Sequence, residues 1–434
     1  MSEKFIIEGG HKLKGEIEVL GAKNAALPIL VASVLSKERS IIDNIPLIGD
    51  VFTMLEILKS IGVKIKFLGK RKIQIDPSKI HLSNMDYDLV TSIRSSVFLF
   101  GALSSRFKNF KLTTPGGCQL GSRVLDPHFE GLKSVGVSIK KENGVYYVSN
   151  TAGKKGKREI VLSEMSVTAT ENVILASVLS KGTIDVYAAA SEHYVQDLCH
   201  FLNKMGAKIS GIGTSHLTID GVESLSGSEH FVMYDPIEMG TFISLAASTQ
   251  SDILIKNTIP EFIRFELLKF KEANVNFKIL NKKKFSKGWG YELADLKIKP
   301  SKLKAVKKVH NMPYPSFSAD ILPIFAVLMT QAKGVSLIHD WMYEGRMKYI
   351  EELNRMGADA FICDPHRALV TGPTKLEGKN ITGFDLRAGA TLMIAALIAS
   401  GKSVISNAYQ VDRGYEEIEK RLKKIGAKIK RIKS

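Results

Sequence analysis

Cysteine is scarce in this chain, which has three cysteines among 434 residues. An odd and small number of cysteines in a long chain argues against a disulfide-stabilised secreted fold. Long apolar runs are also missing, because the longest, such as 390–399, falls well short of the roughly 20 residues that span a bilayer. The first residues, Met1-Ser2-Glu3-Lys4, contain no apolar targeting segment. We therefore expect a soluble cytoplasmic protein without a membrane partner.

Several common cofactor motifs are absent as well. The sequence has no P-loop signature GxxxxGK[ST], and its Gly-x-Gly tripeptides at 211–213 and 288–290 stand apart from any complete GxGxxG motif. It also has no HExxH and no CxxC, so a catalytic zinc ion is not expected. The sequence therefore predicts neither a metal nor another cofactor.

Acidic residues are fewer than basic ones: 44 Asp and Glu against 61 Lys and Arg give a formal net charge of +17. This charge favours an anionic partner, namely nucleic acid, a membrane surface or a phosphorylated small molecule, and the alternative is a solvated lysine-rich surface. Aromatic residues make up 8% of the chain and do not interleave with basic runs, as they do in proteins that bind single-stranded nucleic acid. A nucleic-acid-binding protein with a basic tail at 420–433 is kept as an alternative, but no nucleic-acid partner is expected.

A pattern of two helices and short strands recurs six times. In each copy a mostly apolar helix precedes a short strand, and a second, more charged helix ends at a glycine or asparagine before the next strand. Glycine readily takes the left-handed conformation that ends a helix, and asparagine tolerates it. The apolar helices are predicted over 24–35, 92–103, 168–179, 240–247, 320–329 and 387–399, and the helix-ending residues are Gly62, Gly136, Gly206, Asn274, Gly357 and Gly426. Six units of roughly 70 residues predict two α/β domains of three units each.

Two further segments carry specific expectations. In the sixth unit the second, more charged helix is predicted over 414–425. The lysine-rich segment 282–289 is expected to be a solvated hairpin. The segment 113–123 (TTPGGCQLGSR) follows a predicted strand and combines three glycines with Cys118 and Arg123. Glycines allow close approach to a ligand, and a nearby arginine favours the thiolate of an exposed cysteine. The alternative is a surface loop with an incidental cysteine.

Cations stand where helices are predicted to begin, a position that usually attracts acidic or hydroxyl side chains. A cation there is unfavourable by about 0.3–1 kcal/mol, whereas an anion bound between the helix dipole and the cation is stabilised by both. The alternative is that each arginine pairs with a neighbouring acid, such as Arg387 with Asp385 or Arg413 with Asp412. The six cations are Lys23, Arg94, Arg123, Arg346, Arg387 and Arg413.

Four short motifs occur in order along the chain: Gly21-Ala22-Lys23-Asn24-Ala25-Ala26-Leu27-Pro28, Pro115-Gly116-Gly117-Cys118, Asp385-Leu386-Arg387 and Asp412-Arg413-Gly414-Tyr415-Glu416. Together they resemble the enolpyruvyl transferase family, in particular the members that act on UDP-N-acetylglucosamine, over essentially the whole chain. The resemblance implies an α/β (α+β) fold of two inverse α/β barrel domains, each of three similar helix-strand units with pseudo-threefold symmetry. It implies a discontinuous domain, 1–22 and 233–434, and an inserted domain, 23–232.

The resemblance also implies an activity. The expected enzyme transfers the enolpyruvyl group of phosphoenolpyruvate to the 3′-hydroxyl of UDP-N-acetylglucosamine and releases phosphate, which is the first committed step of peptidoglycan synthesis. This chemistry requires a general acid, a general base and several cations around a multiply charged substrate. We expect these two substrates as partners and a monomeric enzyme.

The resemblance assigns roles to individual residues. Cys118 is implied as the general acid, or as a residue needed for product release, and as the target of fosfomycin. Asp320 is implied as the candidate base near the sugar hydroxyl, although by itself it could equally cap the following helix. Lys23 and Arg413 are implied to act in catalysis by binding phosphoenolpyruvate. The implied substrate-binding residues are Lys23, Asn24, Arg94, Arg123, Asp126, Ser166, Val167, Thr168, Asp320, Met342, Arg346, Asp385, Arg387 and Arg413.

The chain departs from the family pattern mainly on the nucleotide side. Glu164 stands where a lysine is usual, and its carboxylate would repel a diphosphate by about 1–4 kcal/mol at roughly 4 Å if it pointed inward. The other departures are Val124, Pro127, Thr168, Ser191, His193, Tyr314 and Gly345. The alternative is therefore a diverged enolpyruvyl transferase that uses a different nucleotide or nucleotide-sugar acceptor.

Overall fold

The computed structural model describes residues 3–116, 125–151 and 156–433, so Cys118, Arg123 and Val124 lie outside the described residues. The α-helices are α1 Lys23–Ala32, α2 Gly49–Ser60, α3 Tyr87–Ser92, α4 Phe98–Ser104, α5 Asp126–Val135, α6 Val167–Ser177, α7 His193–Lys204, α8 Pro236–Ser248, α9 Arg264–Glu272, α10 Leu322–Met329, α11 Lys348–Arg355, α12 Leu386–Ile398, α13 Tyr409–Asp412 and α14 Ile418–Lys424. Short 3₁₀ segments are Ser33–Leu35, Arg94–Val97 and Pro260–Ile263.

The strands are β1 Glu3–Glu8, β2 Lys14–Glu18, β3 Ser40–Asp43, β4 Lys64–Phe67, β5 Ile73–Asp76, β6 Asn109–Thr113, β7 Val137–Glu142, β8 Val145–Asn150, β9 Arg158–Val161, β10 Thr183–Tyr187, β11 Lys208–Ser210, β12 His216–Asp220, β13 Glu229–Phe231, β14 Asp252–Thr258, β15 Asn276–Lys284, β16 Glu292–Lys299, β17 Lys308–His310, β18 Gly334–His339, β19 Asp359–Asp364, β20 Arg367–Gly372, β21 Asn380–Thr382, β22 Lys402–Ser406 and β23 Lys428–Lys433.

Six helices that are buried on nearly every face form the centre of the fold, and we call them the inner helices. They are α1, α4, α6, α8, α10 and α12. The helix α4 packs against α1 and α6, while α8, α10 and α12 pack against one another. A helix that is apolar all round is expected to be buried all round, so the prediction of six apolar helices is confirmed. The predicted helix 92–103 differs in that it begins with the 3₁₀ segment Arg94–Val97.

Five sheets share one strand order, which shows the predicted repeat directly. In each of these sheets the strand after an inner helix pairs in parallel with a short edge strand and antiparallel with a neighbour on its other side. The orders are β13-β3-β5-β4, β9-β10-β12-β11, β2-β14-β16-β15, β17-β18-β20-β19 and β21-β22-β1-β23. The sheet β6-β8-β7 has the same antiparallel part. Because β1 lies between β22 and β23, the two ends of the chain complete one unit together.

The residues predicted to end the second helices all adopt the left-handed conformation. Asn274 has φ +58°, and the five glycines have φ between +87° and +105°. This prediction is confirmed. The predicted helix 414–425 is wrong, because Glu417 takes φ +42° and separates α13 from α14. The solvated hairpin is wrong at its tip, because the indole Nε1 of Trp289 donates to Asp197 Oδ1 at 2.7 Å.

The sheets fall into two groups along the chain. Three contain only strands from residues 40–231, and the other three contain only strands from 3–18 and 252–433. This grouping supports our proposal of an inserted domain, 23–232, and a discontinuous domain, 1–22 and 233–434. Of the helices in the described part of the chain, none combines the length and the apolar character needed to cross a membrane.

Candidate functional site

Lys23 and Arg413, which are 390 positions apart in the chain, meet on one carboxylate. Lys23 is the first residue of α1, and its Nζ lies 2.7 Å from Oδ2 of Asp50 in the first turn of α2. Arg413 follows α13, and its Nε donates to Asp50 Oδ1 at 2.9 Å. We call these three residues the Asp50 cluster. It joins a cation from each of the two proposed domains.

The Asp50 carboxylate is almost completely buried, with 5% of its side chain exposed. Burial alone would raise the pKa of Asp50, but Lys23 and Arg413 outweigh this effect and hold the pKa below its ordinary value. Asp50 is therefore ionised near neutral pH and partly neutralises both cations. An anion that binds here must compete with Asp50 for Lys23 and Arg413.

A second group of charges surrounds Asp320, in the turn before α10. Arg346 Nη2 donates to Asp320 Oδ1 at 2.7 Å, and Arg387 Nη2 lies 3.0 Å from Oδ2. Both arginines are buried, whereas the Asp320 side chain is 27% exposed. We call these residues the Asp320 cluster. Burial would lower the pKa of Arg387, but Asp320 outweighs it and the pKa is raised, so the guanidinium keeps its charge.

Asp320 does not cap α10, because the N-terminus of that helix has no side-chain cap. Its carboxylate instead bridges the two buried arginines. The two neighbouring pairs given as examples of the alternative for the cations are wrong. Arg346, Arg387 and Arg413 do pair with acids, but with acids distant in the chain. Asp385 caps α12 by accepting from the backbone N–H of Arg387 at 2.7 Å, and Asp412 pairs with Arg431 rather than with Arg413.

The segment after Arg413 connects the two clusters. Arg387 Nη1 donates to the Tyr415 hydroxyl at 3.4 Å, and Tyr415 is buried against Thr241 of α8. The next residue, Glu416, accepts from the backbone N–H of Leu47 at 3.0 Å and pairs with Arg71 in the proposed inserted domain. These contacts explain why 413–417 is not helical: the side chains of consecutive residues must reach partners in different directions.

The N-termini of α5 and α6 are held together by His128. Thr168 Oγ1 lies 3.1 Å from Nε2 of its ring, and Asn172 Nδ2 lies 2.9 Å from Nδ1. Asn172 also accepts from the backbone N–H of Gly101 at 2.9 Å. Burial, followed by the charge of Arg94, lowers the pKa of His128 to about 3, so the ring is neutral. The structure thus brings Arg94 close to the predicted nucleotide residues.

The remaining predicted residues lie at helix starts and in one loop. Asn24 is the second residue of α1, Asp126 is the exposed first residue of α5, and Ser166 caps α6 by accepting from the Ala169 N–H at 3.4 Å. Val167 and Thr168 are the first residues of α6. Met342 precedes Arg346 in the loop after β18. Val167 and Thr168 thus belong to the end of α6 where an anion is favoured.

Glu164 is exposed, and its side chain forms no ion pair within the described residues. Cys118 and Arg123 lie outside those residues. Asp50, His128 and Asn172 were not predicted. An acid in the first turn of a helix, as at Asp50, is too common to indicate a site. Within residues 3–116, 125–151 and 156–433, no three His, Cys, Asp or Glu side chains are grouped as metal ligands would be.

Comparison with known proteins gives concordant matches. A family model of EPSP synthase (3-phosphoshikimate 1-carboxyvinyltransferase) matches residues 7–422. A Treponema denticola protein named UDP-N-acetylglucosamine 1-carboxyvinyltransferase is 40% identical over 435 residues, covering 98% of each chain. A protein of the same name from Bacteroides thetaiotaomicron is 40% identical over 444 residues, covering 99% of each.

Solved structures match over the full length. The enolpyruvyl transferase NikO from Streptomyces tendae has a TM-score of 0.87 at 22% identity, covering 100% of this chain and 99% of that chain. EPSP synthase from Acinetobacter baumannii has a TM-score of 0.75 at 18% identity, covering 100% of both chains. At these identities the likeness concerns the fold, and it confirms the predicted fold class.

Proposed function

The chain belongs to the EPSP synthase family, and from this premise we propose that it transfers the enolpyruvyl group of phosphoenolpyruvate to the 3′-hydroxyl of UDP-N-acetylglucosamine and releases phosphate. One observation carries the proposal: relatives 40% identical along nearly their whole length bear the name UDP-N-acetylglucosamine 1-carboxyvinyltransferase. In this proposal the protein acts in the cytoplasm, in the first committed step of peptidoglycan synthesis, and needs no cofactor.

The Asp50 cluster is the proposed site of phosphoenolpyruvate. Lys23 stands at the N-terminus of α1, where backbone N–H groups and the helix dipole favour an anion. Arg413 approaches from the other domain. The phosphate and carboxylate of the substrate compete with Asp50 for both cations, and Arg94 and Arg123 are proposed to add further positive charge. The substrate thus bridges the domains.

The Asp320 cluster is the proposed base. The reaction adds a proton to C3 of phosphoenolpyruvate while the sugar oxygen attacks C2, and the tetrahedral intermediate then loses phosphate and a C3 proton. Asp320 is proposed to accept the proton of the attacking hydroxyl, because Arg346 and Arg387 orient its carboxylate and its side chain is 27% exposed. Cys118 is proposed to donate the proton to C3 or to act in product release, and to be the residue that fosfomycin modifies.

The starts of α1, α5 and α6 are the proposed nucleotide site. A helix leaves its first backbone N–H groups without intrahelical partners. Ser166 satisfies that of Ala169, and those of Val167 and Thr168 are proposed to bind the diphosphate. Glu164 lies two residues before the cap of this helix, and its exposure lets the carboxylate turn toward solvent, away from the phosphates. Asn24, Asp126, Met342 and Asp385 are proposed to complete the acceptor contacts.

Phosphate release tests the function. The purified protein should release phosphate from phosphoenolpyruvate when UDP-N-acetylglucosamine is added, and not when either substrate is omitted. Release with another nucleotide or nucleotide sugar, and none with UDP-N-acetylglucosamine, would support the diverged transferase. No release with any acceptor would refute an enolpyruvyl transferase activity.

A further inference from the structure

Five aromatic rings from the two proposed domains contact one another in succession, four of them stacked and the first, Tyr314, edge-on to its neighbour. The centroids of successive rings are separated by 4.4, 3.7, 5.5 and 4.6 Å, and the last three pairs are nearly parallel. In order, the rings belong to Tyr314, His193, Phe262, Trp289 and His200. We call this row the ring column.

The column interleaves the two domains. His193 and His200 lie seven residues apart on α7 of the inserted domain, so two helical turns place them on the same side. The other three rings come from separate segments of the proposed discontinuous domain. Phe262 lies in a 3₁₀ segment, Trp289 at the tip of the β15–β16 hairpin, and Tyr314 in the loop before α10. Each histidine therefore packs against rings of the other domain rather than of its own.

Hydrogen bonds fix the rings in place. His193 Nε2 lies 3.1 Å from the carbonyl oxygen of Phe262, and because a carbonyl only accepts, Nε2 carries the proton. The Trp289 indole donates to Asp197 Oδ1 at 2.7 Å, and Oδ2 of this fully buried aspartate accepts from the backbone N–H of Met233 at 3.1 Å. Burial lowers the pKa of His193 to about 4, so its ring is neutral near pH 7.

The first ring of the column belongs to the loop that carries Asp320. The Tyr314 backbone N–H donates to Glu192 Oε1 at 3.4 Å, and Ser191 Oγ donates to the Tyr314 carbonyl at 3.4 Å. Ser191 and His193 both contact Tyr314, so the start of α7 and the residues before it hold this loop through one side chain and its backbone.

We propose that the ring column positions Asp320, with His193 and Tyr314 as positioning residues. Through this contact α7 of the inserted domain holds the loop 311–320 of the discontinuous domain, so that Asp320 takes a defined place relative to an acceptor bound at α6. The role of Asp320 itself rests on the proposed function, whereas the positional claim is testable without substrate.

Hydrogen–deuterium exchange of the ligand-free protein tests the positional claim. In His193→Ala and in Tyr314→Ala, amides of 311–321 should exchange about tenfold faster than in the wild type, because their loop loses its anchor, while amides of 409–417 stay unchanged. Tyr314 is half-buried, so its alanine variant should fold even if His193→Ala does not. Wild-type exchange of 311–321 in Tyr314→Ala would overturn the proposal.

Two matched variants sharpen this experiment. Tyr314→Phe keeps the ring, and no hydrogen bond among the described residues uses the Tyr314 hydroxyl, so it should exchange like the wild type. His200→Ala removes the same side-chain type from the same helix at the far end of the column, where the ring stacks on Trp289. The exchange rate of amides 311–321 in His200→Ala should equal that of the wild type. An acceleration equal to that in His193→Ala would show that the variants loosen the protein as a whole, and it would overturn the proposal.

Turnover gives the second readout. In Tyr314→Ala kcat should fall about 10- to 100-fold, the loss expected from a displaced catalytic group. The KM for phosphoenolpyruvate should change less than about threefold, because among the described residues no hydrogen bond, ion pair or ring contact joins Lys23 or Asp50 to the column. Tyr314→Phe should restore kcat. Faster exchange with unchanged kcat would overturn the positioning role. An inactive wild type would refute the proposed function, while the exchange experiment would still decide the positional claim.

Discussion

Asp50 is the residue on which the two chain-distant cations Lys23 and Arg413 depend. Asp50→Asn should destabilise the protein by about 3–5 kcal/mol at pH 7, because it leaves two largely buried cations side by side. Since the folded pKa of Asp50 is depressed, its contribution is present above the unfolded value of 3.8 and is lost as the pH falls through the folded pKa.

The difference in unfolding free energy between wild type and Asp50→Asn should therefore be largest near neutral pH and shrink below pH 3.8. Urea unfolding followed by circular dichroism from pH 7 to pH 3 measures it. A difference that stays constant over this range would mean that the carboxylate charge does not stabilise the fold.

Cys118 is proposed as the fosfomycin-reactive thiol, and the other two cysteines provide internal controls. Cys118→Ser should abolish labelling by fosfomycin and impair turnover, whereas Cys118→Asp should keep turnover and resist the drug. Cys363→Ser should label like the wild type although its thiol is exposed, and Cys199 is buried, which raises the pKa of its thiol and suppresses its reactivity. Mass spectrometry of the labelled protein measures this, and unchanged labelling of Cys118→Ser would refute the assignment.

Local sequence identified the cations but not their partners. Lys23, Arg387 and Arg413 stood out because a cation at a helix start is unusual. Asp50 is 363 residues from Arg413 and is ordinary in its own context, so no local pattern indicates the pair. The same holds for His128, whose partners come from another helix. Which residues stand at a helix terminus can be read from the local sequence. Which partner a buried ion takes depends on the tertiary structure.

Asn274 is the one non-glycine residue among the six that end the second helices. Its φ of +58° costs an ordinary side chain roughly 1–2 kcal/mol, and its amide donates to the Lys302 carbonyl at 2.7 Å. Asn274→Ala should therefore lower the unfolding free energy by about 1–3 kcal/mol. Asn274→Gly loses the hydrogen bond, but glycine takes a positive φ without steric cost. Its unfolding free energy should therefore lie within about 1 kcal/mol of that of the wild type. Equal losses in both variants would contradict the conformational argument.

At the scale of elements, periodicity and helix ends predicted most of the fold. The strands β3 and β10 each follow an inner helix, as the repeat predicts. The failures have tertiary causes. The segment 414–425 is interrupted at Glu417 because Arg413, Tyr415 and Glu416 reach three different partners. The hairpin 282–289 is lysine-rich, yet its tip packs on α7 because Trp289 finds a buried acceptor there.

For the whole molecule, separate sets of contacts join the proposed domains. The Asp50 cluster and Glu416 form one set, and the ring column with the 3.4 Å pair Lys287–Asp43 forms another. The ring column is aromatic and interleaved, whereas the Asp50 cluster is ionic and is proposed to exchange its internal pairs for an anionic substrate. The ring column is therefore suited to stay in place during a relative motion of the proposed domains. The Asp50 cluster is suited to rearrange when substrate binds.

We expect the domains to close over the substrates, because Lys23 and Arg94 come from the proposed inserted domain and Arg387 and Arg413 from the proposed discontinuous one. We expect the radius of gyration, about 22 Å for a compact chain of this length, to fall when UDP-N-acetylglucosamine and phosphoenolpyruvate are both bound. Small-angle X-ray scattering measures it. Arg413→Ala removes one domain's cation from the phosphoenolpyruvate site, so its radius should respond to the sugar nucleotide but not further to phosphoenolpyruvate. An unchanged radius in the wild type with both substrates bound would show that the domains do not close.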